Sequence, residues 1–580
     1  MKSSFMKKGL SLGICTVMLA GLVACGDNRQ QENVNTAGAE GETTGEIAGG
    51  GESVAGIDEN TSTEISWFST VSGWGTSANW ANGVTSCPLM DAIYENTGAT
   101  LNFEMPATDA ETKLGLMIAS RELPDVITAT GDDIINQLIA SGLVWDLNEF
   151  FETYAQDSYL ATQFPEDIKA ELTKIYNGWY AIPSHILSKD AQKMYPPTDE
   201  SQRVDSYSVN AAIMFNETLM KELDIKQEDV QTETKFFETL EKVKNSGYQV
   251  NGETVIPVML DGTNWINSSM GTLANNFGAV RADEEGKYRS MELSPGYKKA
   301  LEFTNRLVRN GYLDINSLTI DTTAKVSYVE SGRVFCWIGN PADTGNKEKI
   351  PLTSFGPILA DNGAVPTVGV EMSTPSGWLR TFVSKSCKNP ELVAKMLNYG
   401  CSSEGMFYNE WGVEGEDYTI DENGIVTMKE EGLKRKEEQF GGNWVLWAFS
   451  NTAFYSSHAL PSGLDTDLGL HYYIASAMCK YEDTYLYDSS LYNFTTGTVL
   501  EPSGDLGIAK SQIDNYLESQ KAKIVSASSE AAFEEEYNNM IETLQDYGIA
   551  KIDAEYDKVF QKECADAQET VMDVNAALYQ

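Results

Sequence analysis

Cationic residues are scarce in this chain of 580 residues, in which 42 Lys and Arg stand against 85 Asp and Glu and give a formal charge of -43. Phosphate backbones are bound through Lys and Arg, so nucleic acid and anionic membrane surfaces are poor partners. A neutral or cationic ligand is favoured instead. Because 42% of the residues are hydrophobic, the chain can bury a large core, and its length predicts two or more domains.

The common signatures of catalysis and of metal binding are missing. The three histidines, His185, His458 and His471, form no His-Glu-x-x-His motif, and the chain after residue 60 has neither a phosphate loop nor Gly-x-Gly-x-x-Gly. Its six cysteines have no Cys-x-x-Cys spacing, and they are expected either as disulfides or as buried thiols. We therefore predict a protein without cofactor or metal that is not an enzyme, although sequence alone does not exclude a glycosidase carboxylate pair.

Long hydrophobic runs are absent except at the N-terminus. Lys2, Lys7 and Lys8 precede an apolar stretch over 10–24, which predicts an export signal over 1–24, with an uncut anchor helix as the alternative. Residues 22–25, Leu-Val-Ala-Cys, resemble the bacterial lipobox. That resemblance implies acylation of Cys25 and a lipid anchor on the extracytoplasmic face of the cell membrane. The polar, Gly-rich remainder of 25–60 predicts a flexible linker.

Strand-like and helix-like patterns alternate along the start of the body. In order, they cover residues 65–70, 88–96, 100–103, 111–119 and 124–128. Such alternation predicts a parallel α/β layer. Because ligands of these sheets bind beyond the carboxyl ends of the strands, a site is expected at residues 129–132.

Aromatic residues are abundant, with 11 Trp and 27 Tyr. Several tryptophans stand beside Gly, Asn or Glu rather than inside apolar runs, namely Trp74, Trp80, Trp265, Trp378, Trp411 and Trp444. A flat indole can stack on the apolar face of a sugar while Asp, Asn or His bonds its hydroxyl groups. The pattern indicates carbohydrate binding, and the alternative for any single indole is a place in the core of its lobe.

Stretches spread over nearly the whole body, in the expected order, resemble the family 1 extracellular solute-binding proteins of ABC importers, specifically their Gram-positive lipoprotein members. They are residues 95–98, 113–127, 178–183, 215–225, 330–334, 383–391 and 403–424. The resemblance implies an α/β, two-lobed periplasmic-binding-protein-like fold of type II, with the lobes joined by hinge strands. A solute, typically an oligosaccharide, would be held in the cleft and delivered to a permease.

On this basis lobe 1 is expected over 61–183 plus about 366–412, and lobe 2 over 184–365 plus about 413–510. Helices over 511–580 are expected to pack on the lobes. The predicted ligand-binding residues are Trp74, Asp132, His185, Trp265, Asn340, Trp378 and Trp444. The alternatives are that Asp132 caps the following helix and that His185 is a satisfied loop histidine. Ala129 stands where the sugar-binding relatives usually carry an aromatic residue, so stacking is expected from elsewhere.

Our leading hypothesis is a membrane-tethered protein that captures an oligosaccharide for an ABC transporter permease. The alternatives are a binding protein for peptides or another solute, and a surface glycan-degrading enzyme. The expected partners are the glycan, the permease subunits and, through the lipid alone, the membrane. The protein is expected to be a monomer that binds no nucleic acid.

Overall fold

The computed structural model describes residues 63–71, 86–106, 108–198, 209, 211–341, 350–371, 376–459 and 473–579. The predicted signal, the lipid site at Cys25, the linker and Trp74 lie outside the described residues and stay predictions. No helix among the described residues is long and apolar enough to cross a bilayer.

The strands are given first, in chain order. They are β1 (Glu64–Ser69), β2 (Thr100–Glu104), β3 (Val126–Ala129), β4 (Ile182–Pro183), β5 (Ala212–Asn216), β6 (Gln249–Val250), β7 (Glu253–Thr254), β8 (Ile256–Leu260), β9 (Val334–Gly339), β10 (Leu352–Thr353), β11 (Thr367–Val370), β12 (Arg380–Val383), β13 (Tyr418–Ile420), β14 (Val426–Met428) and β15 (Tyr485–Asp488).

The α-helices follow in the same order. They are α1 (Pro88–Thr97), α2 (Ala110–Ser120), α3 (Asp132–Ala140), α4 (Leu147–Tyr154), α5 (Tyr159–Thr162), α6 (Glu166–Tyr176), α7 (Lys189–Met194), α8 (Glu217–Glu222), α9 (Glu233–Asn245), α10 (Ser269–Asn276), α11 (Pro295–Arg309), α12 (Thr322–Glu330), α13 (Pro390–Gly400), α14 (Ser403–Trp411), α15 (Glu430–Phe440), α16 (Thr452–His458), α17 (Thr496–Val499), α18 (Asp505–Val525), α19 (Glu530–Asp546) and α20 (Ile549–Ala567).

Lobe 1 is built on a sheet with the strand order β2-β1-β3-β12-β4. Strand β1 pairs in parallel with β2 and β3, whereas β12 runs antiparallel to β3 and β4. Helix α1 between the first two strands begins with Pro88, whose missing N–H is no loss at a first helical position, and ends at Gly98, whose φ is +77°. The predicted α/β layer is confirmed, and its elements agree with the predicted ones within about two residues.

Lobe 2 has a second sheet with the order β10-β5-β9-β8, in which β8 and β9 are parallel and β5 and β10 antiparallel. Strand β11 leads from this lobe back towards lobe 1 and pairs in parallel with β15, which comes much later in the chain. These two strands form a small separate sheet that packs into the core of lobe 2 through Val368, Val370 and Tyr487. The predicted two-lobed fold with joining strands is confirmed.

Two main hydrophobic cores match the two lobes. The core of lobe 1 runs over 65–191 and 382–453, and the core of lobe 2 runs over 213–370 and 478–571. The predicted boundary at residue 413 therefore differs from the packing, because Phe440, Trp444 and Leu446 fill the core of lobe 1. Helices α18 to α20 join the core of lobe 2 and are part of that lobe.

Helix α19 carries the apolar stripe that the sequence predicts. Phe533, Tyr537, Met540 and Leu544 are buried along one side of the helix, while Tyr547 lies just beyond its end and is 37% exposed. The stripe packs into the core of lobe 2 and closes that lobe.

The six cysteines of the body are all free thiols. Of the two expectations for them, thiols are therefore correct and disulfides are not.

Candidate ligand-binding site

Polar and aromatic side chains collect at one edge of the lobe 1 sheet. The carboxyl ends of β1, β3 and β4 meet the amino end of β12 there, because β12 pairs antiparallel with β3 and β4. Thr130 and Asp132 follow β3, His185 follows β4, and Trp378 precedes β12. We call this the strand-end edge. The sequence predicts a ligand site at this edge, because ligands of α/β sheets bind beyond the carboxyl ends of the strands.

Gly377 lets two loops of the strand-end edge approach each other closely. Its N–H donates to the carbonyl oxygen of Ser184 at 2.6 Å, and the Ser184 N–H donates to the Leu379 carbonyl at 3.3 Å. A Cβ atom at position 377 would lie 2.6 Å from Ser184 Oγ and 2.7 Å from His185 Nδ1. Only glycine fits here, and the contact fixes the position of the neighbouring Trp378 beside His185.

The rings of Trp378, Trp447 and His185 lie together at this edge, and we call these three residues the aromatic cluster. The indole centroids of Trp378 and Trp447 are 6.1 Å apart at 63°, and the His185 ring lies 6.3 Å from that of Trp447. Trp378 is 48% exposed and Trp447 is half-buried. An indole held rigidly in this way offers a flat apolar face to a ligand at little cost in conformational entropy.

His185 is neutral at physiological pH because burial lowers the pKa of its imidazole to about 4. Its backbone N–H donates to the Ser450 carbonyl oxygen at 2.7 Å, and Nδ1 lies 2.8 Å from Ser184 Oγ. The residue has a φ of +48°, which is uncommon for any residue with a Cβ atom. A neutral imidazole has one donor and one acceptor nitrogen, and because Nδ1 contacts Ser184, it is Nε2 that can bond a hydroxyl group of a ligand, as donor or acceptor according to the tautomer.

Acid should destabilise the protein through His185. The ordinary imidazole pKa is 6.5, whereas the folded value is about 4. Between these values the unfolded chain binds a proton that the folded chain does not bind, so stability falls as the pH drops through this window. His185→Asn removes the titrating group and tolerates a positive φ. Melting temperatures measured against pH should fall more steeply for the wild type than for the variant, and parallel curves would contradict the burial.

Asp132 is the first residue of helix α3, and the cap residue before it is Gly131, with φ +93° and no side-chain cap. The alternative in which Asp132 caps the helix is therefore wrong. Burial raises the pKa of the Asp132 carboxyl, and the positive charge of Arg380 opposes that rise. The side chain lines a cavity that continues from the strand-end edge. Asp132 is thus a residue of the cavity wall.

The cavity has a volume of about 210 Å³ and walls from both lobes, and we call it the interlobe cavity. Lobe 1 contributes the start of α3, one face of α6 and Arg380, and lobe 2 contributes residues 492–495 after β15. Glu371, which follows β11, and Ser376 complete the lining. A cavity between two lobes is suited to sense a ligand that both lobes touch.

Two of the predicted stacking residues are buried in the cores of their lobes, and their prediction as ligand-binding residues is wrong. Trp265 is 5% exposed and packs in the core of lobe 2, whereas Trp444 is fully buried in the core of lobe 1. Trp444 also packs edge-on against Phe440 at 5.4 Å. The alternative that each indole is a core anchor is the correct one for both residues.

Trp447 is a site residue that sequence reasoning missed. It lies three positions after Trp444, in a short 3-10 turn over Trp447–Phe449, and turns its ring towards Trp378. The sequence signal was the second Trp of a Trp-x-x-Trp pair. Glu171, Glu371, Arg380 and Asn493 of the interlobe cavity were missed as well, and no local pattern connects residues so distant in sequence.

Asn340 follows β9 at the corresponding end of the lobe 2 sheet and is half-buried. The neighbouring parallel strand β8 is followed by Asp261, which forms a buried ion pair with Lys325. Asp261 also accepts a hydrogen bond from Asn264 Nδ2 at 3.4 Å. Asn340 and the loop that holds Trp265 therefore lie at adjacent strand ends of lobe 2, although the indole itself points into the core.

Comparison with solved structures places this arrangement among known folds. An HMO-binding solute-binding protein of an ABC transporter from Bifidobacterium longum infantis shares 17% identity over 87% of this chain and 99% of its own, with a TM-score of 0.59. The S. pneumoniae substrate-binding protein FusA, in complex with kestose, shares 15% over 87% and 100%, with a TM-score of 0.62. The alginate-binding protein AlgQ2 shares 16% over 87% and 98%, with a TM-score of 0.63.

No family model matches the sequence, and no curated protein is similar to it at the sequence level. The structural likeness, in contrast, extends over nearly the full length of each neighbour. The structural likeness shows the fold, and at identities this low the ligand has to be argued from the site. The body of this chain has the two-lobed α/β fold of the solute-binding proteins of ABC transporters.

Proposed function

We propose that this protein captures an oligosaccharide between its lobes and delivers it to the permease of an ABC transporter. The observation that carries the proposal is the exposed Trp378 ring, fixed beside Trp447 and neutral His185 at the strand-end edge. A rigid indole with hydrogen-bonding groups nearby suits the apolar faces and hydroxyl rim of a sugar. The three structural neighbours are named for HMO, kestose and alginate, which supports the same ligand class.

Binding rather than turnover is the proposed activity. The neighbours are named as binding proteins. At the strand-end edge the Ser184 hydroxyl beside His185 Nδ1 is fully buried, and burial lowers the pKa of that imidazole to about 4, so this pair is poorly suited to act as nucleophile and base. Ligand contacts on both lobes would favour the closed conformation, and a permease could distinguish that conformation from the open one. Release of reducing ends from a glycan by the purified body would contradict this part of the proposal.

We further propose that the protein acts at the extracytoplasmic face of the membrane, held by acyl chains on Cys25. The basis is the sequence alone, because the lipobox-like Leu22-Val23-Ala24-Cys25 follows a basic and then apolar leader. Palmitate labelling of cells that express the full chain, compared with the Cys25→Ala variant, tests the anchor. Label that persists in the variant would refute it.

Trp378→Ala should weaken binding of a glycan ligand by about 1–3 kcal/mol, roughly 5–150-fold in Kd, with little change in melting temperature. The reason is that the ring is about half exposed and packs edge-on against Trp447, so its removal opens little of the core. Titration calorimetry against a panel of neutral, acidic and amino oligosaccharides identifies the ligand and then measures the variant. Peptide binding without glycan binding would refute the substrate class.

The control is Tyr94→Ala, which removes a 60% exposed ring from helix α1, away from the strand-end edge. This variant should bind with the wild-type Kd. If Trp378→Ala lost stability and affinity together, the indole would be a structural residue of lobe 1 and the aromatic cluster would not be the binding face.

A further inference from the structure

The interlobe cavity carries more negative than positive charge. Three carboxylates line it, Asp132, Glu171 and Glu371, and Arg380 is the one cationic side chain among its lining residues. The carboxylates come from different parts of the chain: helix α3, helix α6 and the residue that follows β11. The negative charge therefore lies both on the lobe 1 wall and at Glu371, next to β11.

The positive charge of Arg380 is largely engaged by the protein itself. Its Nη1 donates to the carbonyl oxygens of Gly377 and Leu379, the latter at 3.1 Å, and the guanidinium hydrogen-bonds to the hydroxyl of Tyr176. These bonds hold the side chain along the Trp378 loop. Arg380 therefore compensates the carboxylates only through space, and no ion pair joins it to one of them in the described part of the chain.

Glu171 and Glu371 share a single amide donor. Asn493 Nδ2 lies 3.1 Å from Glu171 Oε1 and 3.5 Å from Glu371 Oε1, so the amide reaches both carboxylates without neutralising either. Burial and the negative charge of Glu171 raise the pKa of the Glu371 carboxyl to about 7, with Asp488 adding to the rise and with Arg380 and Asn493 opposing it. Two carboxylates in this arrangement would be stabilised by a cation placed between them.

We propose that the interlobe cavity binds a protonated amino group of the solute, so that the preferred glycan carries an unsubstituted amino sugar. This inference rests on the proposed function and specifies its substrate class. An ammonium group would replace the missing positive charge and supply up to three hydrogen-bond donors to carboxylate oxygens. A uronate in the same place would bring a fourth carboxylate and would be repelled.

The size of the cavity agrees with a terminal residue rather than a whole ligand. Its 210 Å³ is below the roughly 300–1,000 Å³ of a pocket that encloses a drug-sized molecule. Tyr176 and Phe494 also line the cavity and provide apolar surface for a ring. Ser376 lines it too and is two positions from Trp378, so one sugar unit can occupy the cavity while the next stacks at the aromatic cluster.

The experiment is calorimetry at pH 7 with three oligosaccharides of equal length: a glucosamine oligomer, its N-acetylated counterpart and a uronate oligomer. The glucosamine oligomer should bind at least tenfold more tightly than the acetylated one, and the uronate oligomer most weakly. Glu171→Gln and Glu371→Gln should each reduce the preference for the amine about tenfold while leaving the Kd of the acetylated oligomer nearly unchanged. Glu152→Gln, an exposed residue of α4, is the matched control for loss of one charge and should keep the preference.

The outcomes separate this inference from the proposed function. If neutral glycans bind without any preference for the amine, the inference is wrong and the glycan-binding function stands. If the preference survives in the Glu171→Gln/Glu371→Gln double variant, the cavity does not select the amine and the inference is again wrong. If no oligosaccharide of any charge binds, the proposed function has failed first.

Discussion

Trp444→Ala is expected to lower the free energy of unfolding by about 3–5 kcal/mol, the usual cost of truncating a large aromatic side chain in a core. The ring is fully buried in the core of lobe 1 and touches Phe440. Arg435 and Lys436 lie over the same ring, with their cationic groups 5.3 and 5.2 Å from its centroid. The truncation therefore removes core packing and two cation–π contacts together.

Trp444→Phe separates these contributions. The indole Nε1 is buried and has no hydrogen-bond partner among the described residues, so the tryptophan keeps an unsatisfied donor in the core. Phenylalanine removes that donor and retains a ring, and it should cost less than half as much as alanine. Urea unfolding followed by far-UV circular dichroism measures both variants. A Trp444→Ala protein with wild-type stability but weakened glycan binding would mean that this indole reaches the ligand.

Lys325→Met is expected to destabilise lobe 2 by about 3–5 kcal/mol, because it leaves a buried carboxylate without its partner. The ion pair of Lys325 with Asp261 is almost completely excluded from solvent, with side-chain exposures of 3% and 0%. Asp261 stands at the end of β8 and its backbone N–H is held by Ser269 Oγ at 2.9 Å. The uncompensated charge would thus sit inside a rigid strand end.

The double variant Asp261→Asn/Lys325→Met removes both charges and should recover a large part of the lost stability. Lys562→Met is the matched control, since its ion pair with Asp566 is exposed on helix α20 and should contribute little. Chemical denaturation of the wild type, of Asp261→Asn and Lys325→Met singly, and of the double variant gives the coupling between the two residues. If the single Lys325→Met variant is as stable as the control, the pair is solvated and the buried geometry is wrong.

The helices and strands of the fold were predictable wherever several local sequence signals indicated the same element. In helix α1 the proline at the start, the glycine at the end and the apolar spacing all indicate the same element, so its bounds follow from the sequence. Helix α19 was predictable for the same reason, since its stripe repeats at helical spacing. In both helices the spacing of the apolar residues indicates which face is buried.

The candidate site was predictable only in part. Asp132 and Trp378 adjoin strand ends, and the ends of parallel strands can be located from local patterns. Trp444 and Trp447, in contrast, stand in the same loop, and only the packing decides that the first is buried and the second half exposed. The interlobe cavity depends on contacts such as that of Glu171 with Asn493, which are 322 positions apart. The local sequence around either residue does not indicate such a contact.

The free thiols of the body have a practical consequence for following the motion of the lobes. Cys87, Cys336 and Cys401 are buried, and burial raises their pKa values, to about 12 for Cys87 and Cys401. Burial also raises the pKa of Cys387 to about 12 and that of Cys479 to about 11, so thiolate is scarce at neutral pH. New cysteines placed on the surface of each lobe would react far faster than these native ones. Fluorophore pairs for distance measurements can therefore be attached without first replacing the native cysteines.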